Sequence, residues 1–147
     1  MEEKVIKGLV ELIIKEVLNC ERHHLSEASI ERRQRKYMKF VGENFGEGAD
    51  HFKLARDIDN NVSFQVWNEC KVYMNRKSEN AKVYYLQHFD KDYSVQGHKT
   101  PKTLERKAEA YGRKCGLEDF KRVLPIAAYK YVSDFLYDYY RNECKMF

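Results

Sequence analysis

The sequence predicts one α+β domain over residues 1–147, dominated by helices, with one long antiparallel β-hairpin in its middle. Three observations support this fold class. Apolar residues recur at helical spacing near both ends of the chain, they alternate with polar residues between positions 62 and 89, and 147 residues is a usual size for one domain. An all-α bundle is the alternative, because the middle segment also fits a helix.

The N-terminal third contains three predicted helices. Residues 2–20 place their apolar side chains on one half of a helix, and Lys and Glu on the other. Ser26 is a suitable N-cap for a second helix, whose apolar stripe ends in a glycine cluster at positions 42–48. A short third helix is predicted at residues 49–58.

The middle of the chain fits two secondary structures. Apolar and polar side chains alternate over residues 62–74, broken only by Asn68, and residues 81–89 include Val83, Tyr84 and Tyr85. This alternation is typical of half-buried strands, so we predict a hairpin that turns within residues 75–80. The same segment also aligns six apolar residues on one helical face: Val62, Val66, Trp67, Cys70, Tyr73 and Met74. Helices therefore stay open as the alternative.

The C-terminal third is predicted to form two further helices. Thr100 and Pro101 begin the first, and Gly116 ends it. Its apolar stripe consists of Leu104, Ala108, Tyr111 and Cys115, and Pro125 opens the last helix. The last helix is apolar over more than half its circumference, which places it at the centre of the core or in a homo-oligomer interface. The residues expected in such an interface are Tyr129, Val132, Tyr139 and Tyr140.

The charge balance favours an anionic partner. The chain has 27 Lys and Arg against 23 Asp and Glu, a net charge of +4, which is less basic than a dedicated nucleic-acid protein. No apolar run approaches the roughly 18 residues of a membrane span, and the N-terminus lacks a signal-peptide pattern. We therefore expect no membrane partner and a cytoplasmic location, in the producing or the host cell.

Two predicted helices carry basic faces. The stronger lies on the second helix, opposite its apolar stripe, at spacings of i, i+3, i+4 and i+7. It consists of Arg32, Arg35, Lys36 and Lys39. A weaker face, on the predicted helix after Pro101, consists of Lys102, Arg106 and Arg113. Such faces attract phosphates, acidic lipids or acidic protein surfaces, although an ordinary solvated face is the alternative.

Aromatic residues of the predicted hairpin form a second candidate surface. One face of that hairpin carries four rings beside Lys71 and Lys82, namely Trp67, Tyr73, Tyr84 and His88. Exposed rings between cations stack on the bases of single-stranded nucleic acid or on a nucleobase. If helices cover the hairpin, the rings belong to the core instead.

Local signatures of catalysis and metal binding are missing. No Ser lies in a GxSxG elbow, and the glycines at 42–48 lack the Lys-Ser/Thr ending of a phosphate loop. Cys20 with His23 or His24 is half of a zinc signature without a second pair. The four cysteines are widely spaced, which favours reduced, mostly buried thiols. We expect no cofactor and no metal.

The sequence therefore favours a non-enzymatic binding protein that engages an anionic partner, either nucleic acid or an acidic protein surface, through its basic helical faces. The alternative is a phage- or virus-type accessory inhibitor that acts as a homo-oligomer and sequesters a nucleotide-like ligand or blocks a host protein. The chain is rich in Lys, Asn and Tyr, an amino-acid usage typical of AT-rich genomes and compatible with that alternative. An enzyme whose catalytic residues are scattered in sequence is the third hypothesis.

Overall fold

Helices dominate the structure, a computed structural model that describes residues 2–19 and 26–142. It is 85% helical, and the described residues contain no strand. The elements in chain order are α1 (Glu2–Leu18), α2 (Glu27–Asn44), α3 (His51–Asp57), a π-helical segment (Ile58–Ser63), α4 (Phe64–Phe89) and α5 (Lys102–Asn142). The all-α alternative is therefore the observed fold class.

The predicted α+β fold with a β-hairpin is wrong, because residues 64–89 form the single helix α4. Val62, Val66 and Cys70, spaced by four residues, are all buried. The expected turn at residues 75–80 contains Lys, Ser and Glu but neither Gly nor Pro, so nothing in it stops a helix. The helical periodicity, and not the alternation, determines which side chains are buried.

The two predicted C-terminal helices are one helix, α5, which runs through both Gly116 and Pro125. Gly116 is not a cap. A Cβ at this position would lie 2.8 Å from the backbone oxygen of Met74, so the glycine allows close contact with α4. Pro125 lies inside the helix, where its missing N–H leaves the carbonyl four residues earlier without its usual partner.

Two compact units make up the chain. The first contains Met1–Asn68 and Leu124–Phe147, and the second contains Glu69–Val123. The second unit has 13 Lys and Arg against 8 Asp and Glu, a net charge of +5, whereas the first has 14 against 15, a net charge of −1. The positive charge of the protein therefore belongs to the second unit. The expectation of one folding domain stays a prediction.

The first unit has an aliphatic core built from α1, α2, α3 and the C-terminal part of α5. Its fully buried side chains include Leu9, Ile13, Tyr37, Val41 and Val132. Ser26 caps α2 as predicted, because its hydroxyl accepts from the Ser29 N–H at 3.2 Å. Asp50 caps α3 in the same way.

The second unit is an antiparallel helical hairpin, in which residues 69–89 of α4 and 102–123 of α5 are joined by a loop. Ala108, Gly112 and Gly116 recur at every fourth position of α5 and are buried. A Cβ on Gly112 would lie only 2.6 Å from the backbone oxygen of Ser78. The two helix backbones therefore approach each other as closely as glycine permits.

Candidate functional site

The basic face of α2 is partly engaged in folding. Glu16 of α1 is fully buried, and Lys36 Nζ donates to its Oε1 at 2.6 Å. Arg32 Nη2 lies 3.3 Å from Oε2, close enough for an ion pair but not aligned for a hydrogen bond. Arg35 and Lys39 are exposed. The four residues thus divide into two that neutralise a buried carboxylate and two that face solvent.

A buried ion pair links α2 to the π-helical segment. Arg33 Nε donates to Asp59 Oδ1 at 2.7 Å, and its Nη1 donates to Ser29 Oγ at 2.8 Å. One turn further along α2, the Tyr37 hydroxyl hydrogen-bonds to Ser63 Oγ at the end of the same segment. These bonds satisfy buried polar groups of α2 and of the π-helical segment.

The second unit carries a connected series of rings at the loop end of the hairpin. Tyr84 stacks on His88, His88 meets Phe89 edge-on, and Phe89 contacts Tyr85, with ring centroids 4.5–6.2 Å apart. Tyr85 then contacts Tyr111 of α5 at 5.5 Å. Tyr84 is 62% exposed and Phe89 57% exposed. The series therefore joins both helices while its outer rings face water.

Cations flank these rings on the same face of the hairpin. Lys77 lies two turns before Tyr84 on α4, and Lys107 and Lys114 lie one turn to either side of Tyr111 on α5. All three lysines are exposed. We name the aromatic face as the surface formed by Tyr73, Tyr84, His88, Phe89 and Tyr111 with Lys77, Lys107 and Lys114.

The pKa of Tyr111 is raised, chiefly by its hydrogen bond and electrostatic interaction with Cys115, then by partial burial and the neighbouring Tyr84 and Glu118. An ordinary tyrosine phenol is already neutral at physiological pH, and the raised pKa acts in the same direction. A neutral ring does not repel a phosphate backbone, so Tyr111 is compatible with an anionic partner.

The other predicted binding residues lie elsewhere. Lys102, Arg106 and Arg113 are exposed, but their positions on α5 face away from Tyr111. Trp67 belongs to the first unit and is half-buried, so it is not part of the aromatic face. The other three predicted rings, Tyr73, Tyr84 and His88, lie on one face of α4, where Tyr84 stacks on His88. Tyr73 also lies 6.0 Å from the guanidinium of Arg76.

The loop of the hairpin is held by Asp90. His98 Nε2 lies 2.9 Å from both carboxylate oxygens of Asp90, and the Asp92 N–H donates to Oδ1 at 3.2 Å. Burial alone would raise the pKa of Asp90, but hydrogen bonds from His98, Thr100 and Asp92 outweigh it and lower that pKa. Beside this loop, Lys82, Lys99 and Lys102 help to line a shallow cleft of about 500 Å³.

The first unit has a larger cleft, of about 680 Å³. Its walls include the rings of Phe45, Phe135 and Tyr139, and Phe45 meets Tyr139 edge-on at 5.3 Å. Four carboxylates and one lysine also line it, namely Glu47, Asp50, Asp57, Asp138 and Lys53. Among the described residues, no three His, Cys, Asp or Glu side chains are arranged to hold a metal ion.

The expected interface residues of the last helix are divided between core and surface. Val132 is fully buried and Tyr140 nearly so, which makes them part of the first unit's core. Tyr139 is half-buried against Phe45. Tyr129 alone of the four is well exposed.

Two cysteines are described, and both are free thiols: Cys70 is buried and Cys115 half-buried. Burial, assisted by the neighbouring Glu69, raises the pKa of Cys70 to about 11, so this thiol is a poor nucleophile. Cys20, His23, His24 and Cys144, by contrast, lie outside the described residues. No helix of the part of the chain that the structure describes is long and apolar enough to span a membrane.

Five members of the aromatic face were not among the predicted binding residues: Lys77, Phe89, Lys107, Tyr111 and Lys114. Helical spacing around Tyr84 and Tyr111 would have found the lysines, once residues 62–89 were taken as a helix. Comparison with known protein families, curated proteins and solved structures finds no match to this chain.

Proposed function

We propose that this chain is a non-enzymatic protein that binds single-stranded nucleic acid on the aromatic face of its second unit. The main support is the exposed, connected series of rings from Tyr84 to Tyr111 on a unit of net charge +5. Clusters of exposed rings are uncommon on proteins unless they bind a partner. The proposal also implies an intracellular location, where such strands occur.

The chemistry of the face favours a single strand over a duplex or an acidic protein. Unpaired bases expose their π faces, and stacking on an aromatic side chain contributes about 1–3 kcal/mol per base. Lysines beside the rings would neutralise phosphates that follow the same path. An acidic protein surface would use the lysines but gain little from Tyr84 and Tyr111.

The face of α2 is a weaker candidate for the same role. Arg32 and Lys36 already neutralise Glu16, which leaves Arg35 and Lys39 as its exposed cations. No ring accompanies those two residues in the contacts described for α2. A nucleic acid bound there would be held by charge alone.

The ring contribution is tested by fluorescence anisotropy with a labelled oligonucleotide of about 15 nucleotides, a length within reach of small single-strand binders. Tyr84→Ala should weaken binding by about 5- to 150-fold, the equivalent of one lost stack. Phe52→Ala is the matched control, because Phe52 is also an exposed ring but lies on α3. Equal affinity of the two variants, or equal affinity of wild type for duplex, would refute the proposal.

The phosphate contribution is tested by salt dependence. Neutralising Lys107 and Lys114 together, each to Gln, should reduce the slope of log affinity against log salt by about 1.4, or 0.7 per phosphate of a single strand. Lys39→Gln, which changes an exposed lysine of α2, should leave that slope unchanged. A larger effect at Lys39 would move the binding surface to α2.

A further inference from the structure

The C-terminal part of α5 carries an apolar stripe that faces water. Ile126 is 67% exposed, Tyr129 59% and Tyr137 50%, and half-buried Ser133 lies between them. These positions are three, four and four residues apart, so they lie along one side of the helix. We name them the α5 stripe. From it we propose that a second copy of this chain binds here, helix against helix and antiparallel.

Opposite charges along one edge of the α5 stripe indicate that the partner is a second copy. Lys130 and Asp134 are both exposed and lie one turn apart on the same edge. In the described part of the chain neither forms an ion pair, and Lys130 Nζ lies 5.3 Å from the ring centroid of Tyr131. Both charges are therefore available to a partner.

A two-fold axis makes this arrangement self-complementary. In an antiparallel helix pair the axis is perpendicular to the plane of the two helices, so a residue on one edge stays on that edge in the other copy. With the axis near Ser133, Lys130 of one copy comes opposite Asp134 of the other, and the reverse pair forms by symmetry. Tyr129 meets Tyr137 of the second copy across the same axis, and Ser133 is small enough to allow close contact there.

The length of the α5 stripe determines how tightly the two copies should bind. Residues 126–137 span about 17 Å of helix, which gives an interface at the lower end of the specific size range. We therefore expect a reversible dimer that dissociates on dilution. The dimer does not depend on nucleic-acid binding and is measured without oligonucleotide.

The test is analytical ultracentrifugation of the full chain from about 5 to 500 µM, with charge-reversed variants. Lys130→Asp alone and Asp134→Lys alone each place two like-charge pairs across the axis, and each should weaken the dimer by about tenfold or more. The double variant restores opposite charges and should return to within about threefold of wild type. Lys121→Asp, at an exposed lysine of α5 outside the stripe, should not change dimerisation.

Each outcome decides the proposal. A monomer at every concentration would overturn it, as would a double variant as weak as the single ones. A loss of the same size in Lys121→Asp would assign the effect to net charge and not to the stripe. Because all three residues are exposed, circular dichroism should show unchanged helicity in every variant.

Discussion

Substitution of Gly112 by alanine should destabilise the protein, although alanine normally stabilises a helix. The added Cβ would lie 2.6 Å from the Ser78 backbone oxygen and 3.3 Å from its hydroxyl. The nearer atom belongs to the backbone of α4, so no side-chain rotation can relieve the contact. The helices of the second unit must move apart to accommodate one methyl group.

The expected magnitude combines two opposing contributions. Replacing glycine by alanine in a helix stabilises by about 1 kcal/mol, whereas forcing an extra methyl into a packed interface costs about 1–3 kcal/mol. The net loss at Gly112 is therefore about 1 kcal/mol, up to roughly 2. Gly42 of α2 is the matched control, because a Cβ there would meet only the His51 ring at an ordinary 3.7 Å. Gly42→Ala should stabilise by about 0.5 kcal/mol, since it lies in the last turn.

Thermal unfolding followed by circular dichroism measures both effects. At this chain length 1 kcal/mol corresponds to a change of about 3–4 °C in Tm, so the two variants should shift in opposite directions. If one transition is seen and both variants move it, the single-domain prediction is supported as well. An unchanged or raised Tm for Gly112→Ala would refute close backbone packing in the second unit.

Three further predictions concern buried polar groups and thiols. Arg33→Met should lower the free energy of unfolding, measured in urea, by about 3–5 kcal/mol, because it leaves Asp59 buried without its partner. A change below about 1 kcal/mol would show that the Arg33–Asp59 ion pair does not stabilise the fold. The lowered pKa of Asp90 stabilises the folded state above the ordinary Asp pKa of about 3.9, and this contribution is lost as pH falls through the lower folded pKa. Asp90→Asn should therefore flatten the pH dependence of stability below about pH 4. An unchanged profile would show that the hydrogen bonds of Asp90 do not stabilise the loop. Cys70, buried and with a pKa raised to about 11, should react with iodoacetamide only on unfolding, whereas half-buried Cys115 should be alkylated in the folded protein.

The helices of the first unit could be predicted because their signals are local. The Ser26 cap and the spacing of Tyr37 and Val41 fix α2 without reference to other elements. Apolar residues alone did not distinguish a strand from a helix in the middle segment. Val and Tyr occur in both structures, and the partner helix determines which side chains are buried. The missing turn residues in 75–80 were the available signal for a helix.

The packing of α5 could not be deduced from apolar periodicity. That periodicity predicted an apolar stripe of Leu104, Ala108, Tyr111 and Cys115. Ala108 is buried as expected, but Tyr111 is exposed, and the buried stripe continues through Gly112 and Gly116. Glycine has no side chain to bury, so a search for large apolar residues does not find a close backbone contact. For the same reason Gly116 was predicted to be a helix cap, and Tyr111 was predicted to lie on the apolar side when it is exposed.

Because Arg32 and Lys36 neutralise the buried Glu16, substituting them affects folding as well as any binding by the basic face of α2. Replacing Arg32 and Lys36 by Gln would leave a fully buried carboxylate without a cation, which should cost about 2–3 kcal/mol after allowance for the partial exposure of both cations. Replacing Arg35 and Lys39 by Gln should change stability by less than about 0.5 kcal/mol.

Charge reversal of all four residues would therefore confuse loss of binding with loss of folding, and only the Arg35 and Lys39 pair tests the surface of α2. Urea denaturation of the two double variants separates these roles. Equal stability of both would show that Glu16 does not need its cations, and the whole face of α2 would again be a candidate for binding.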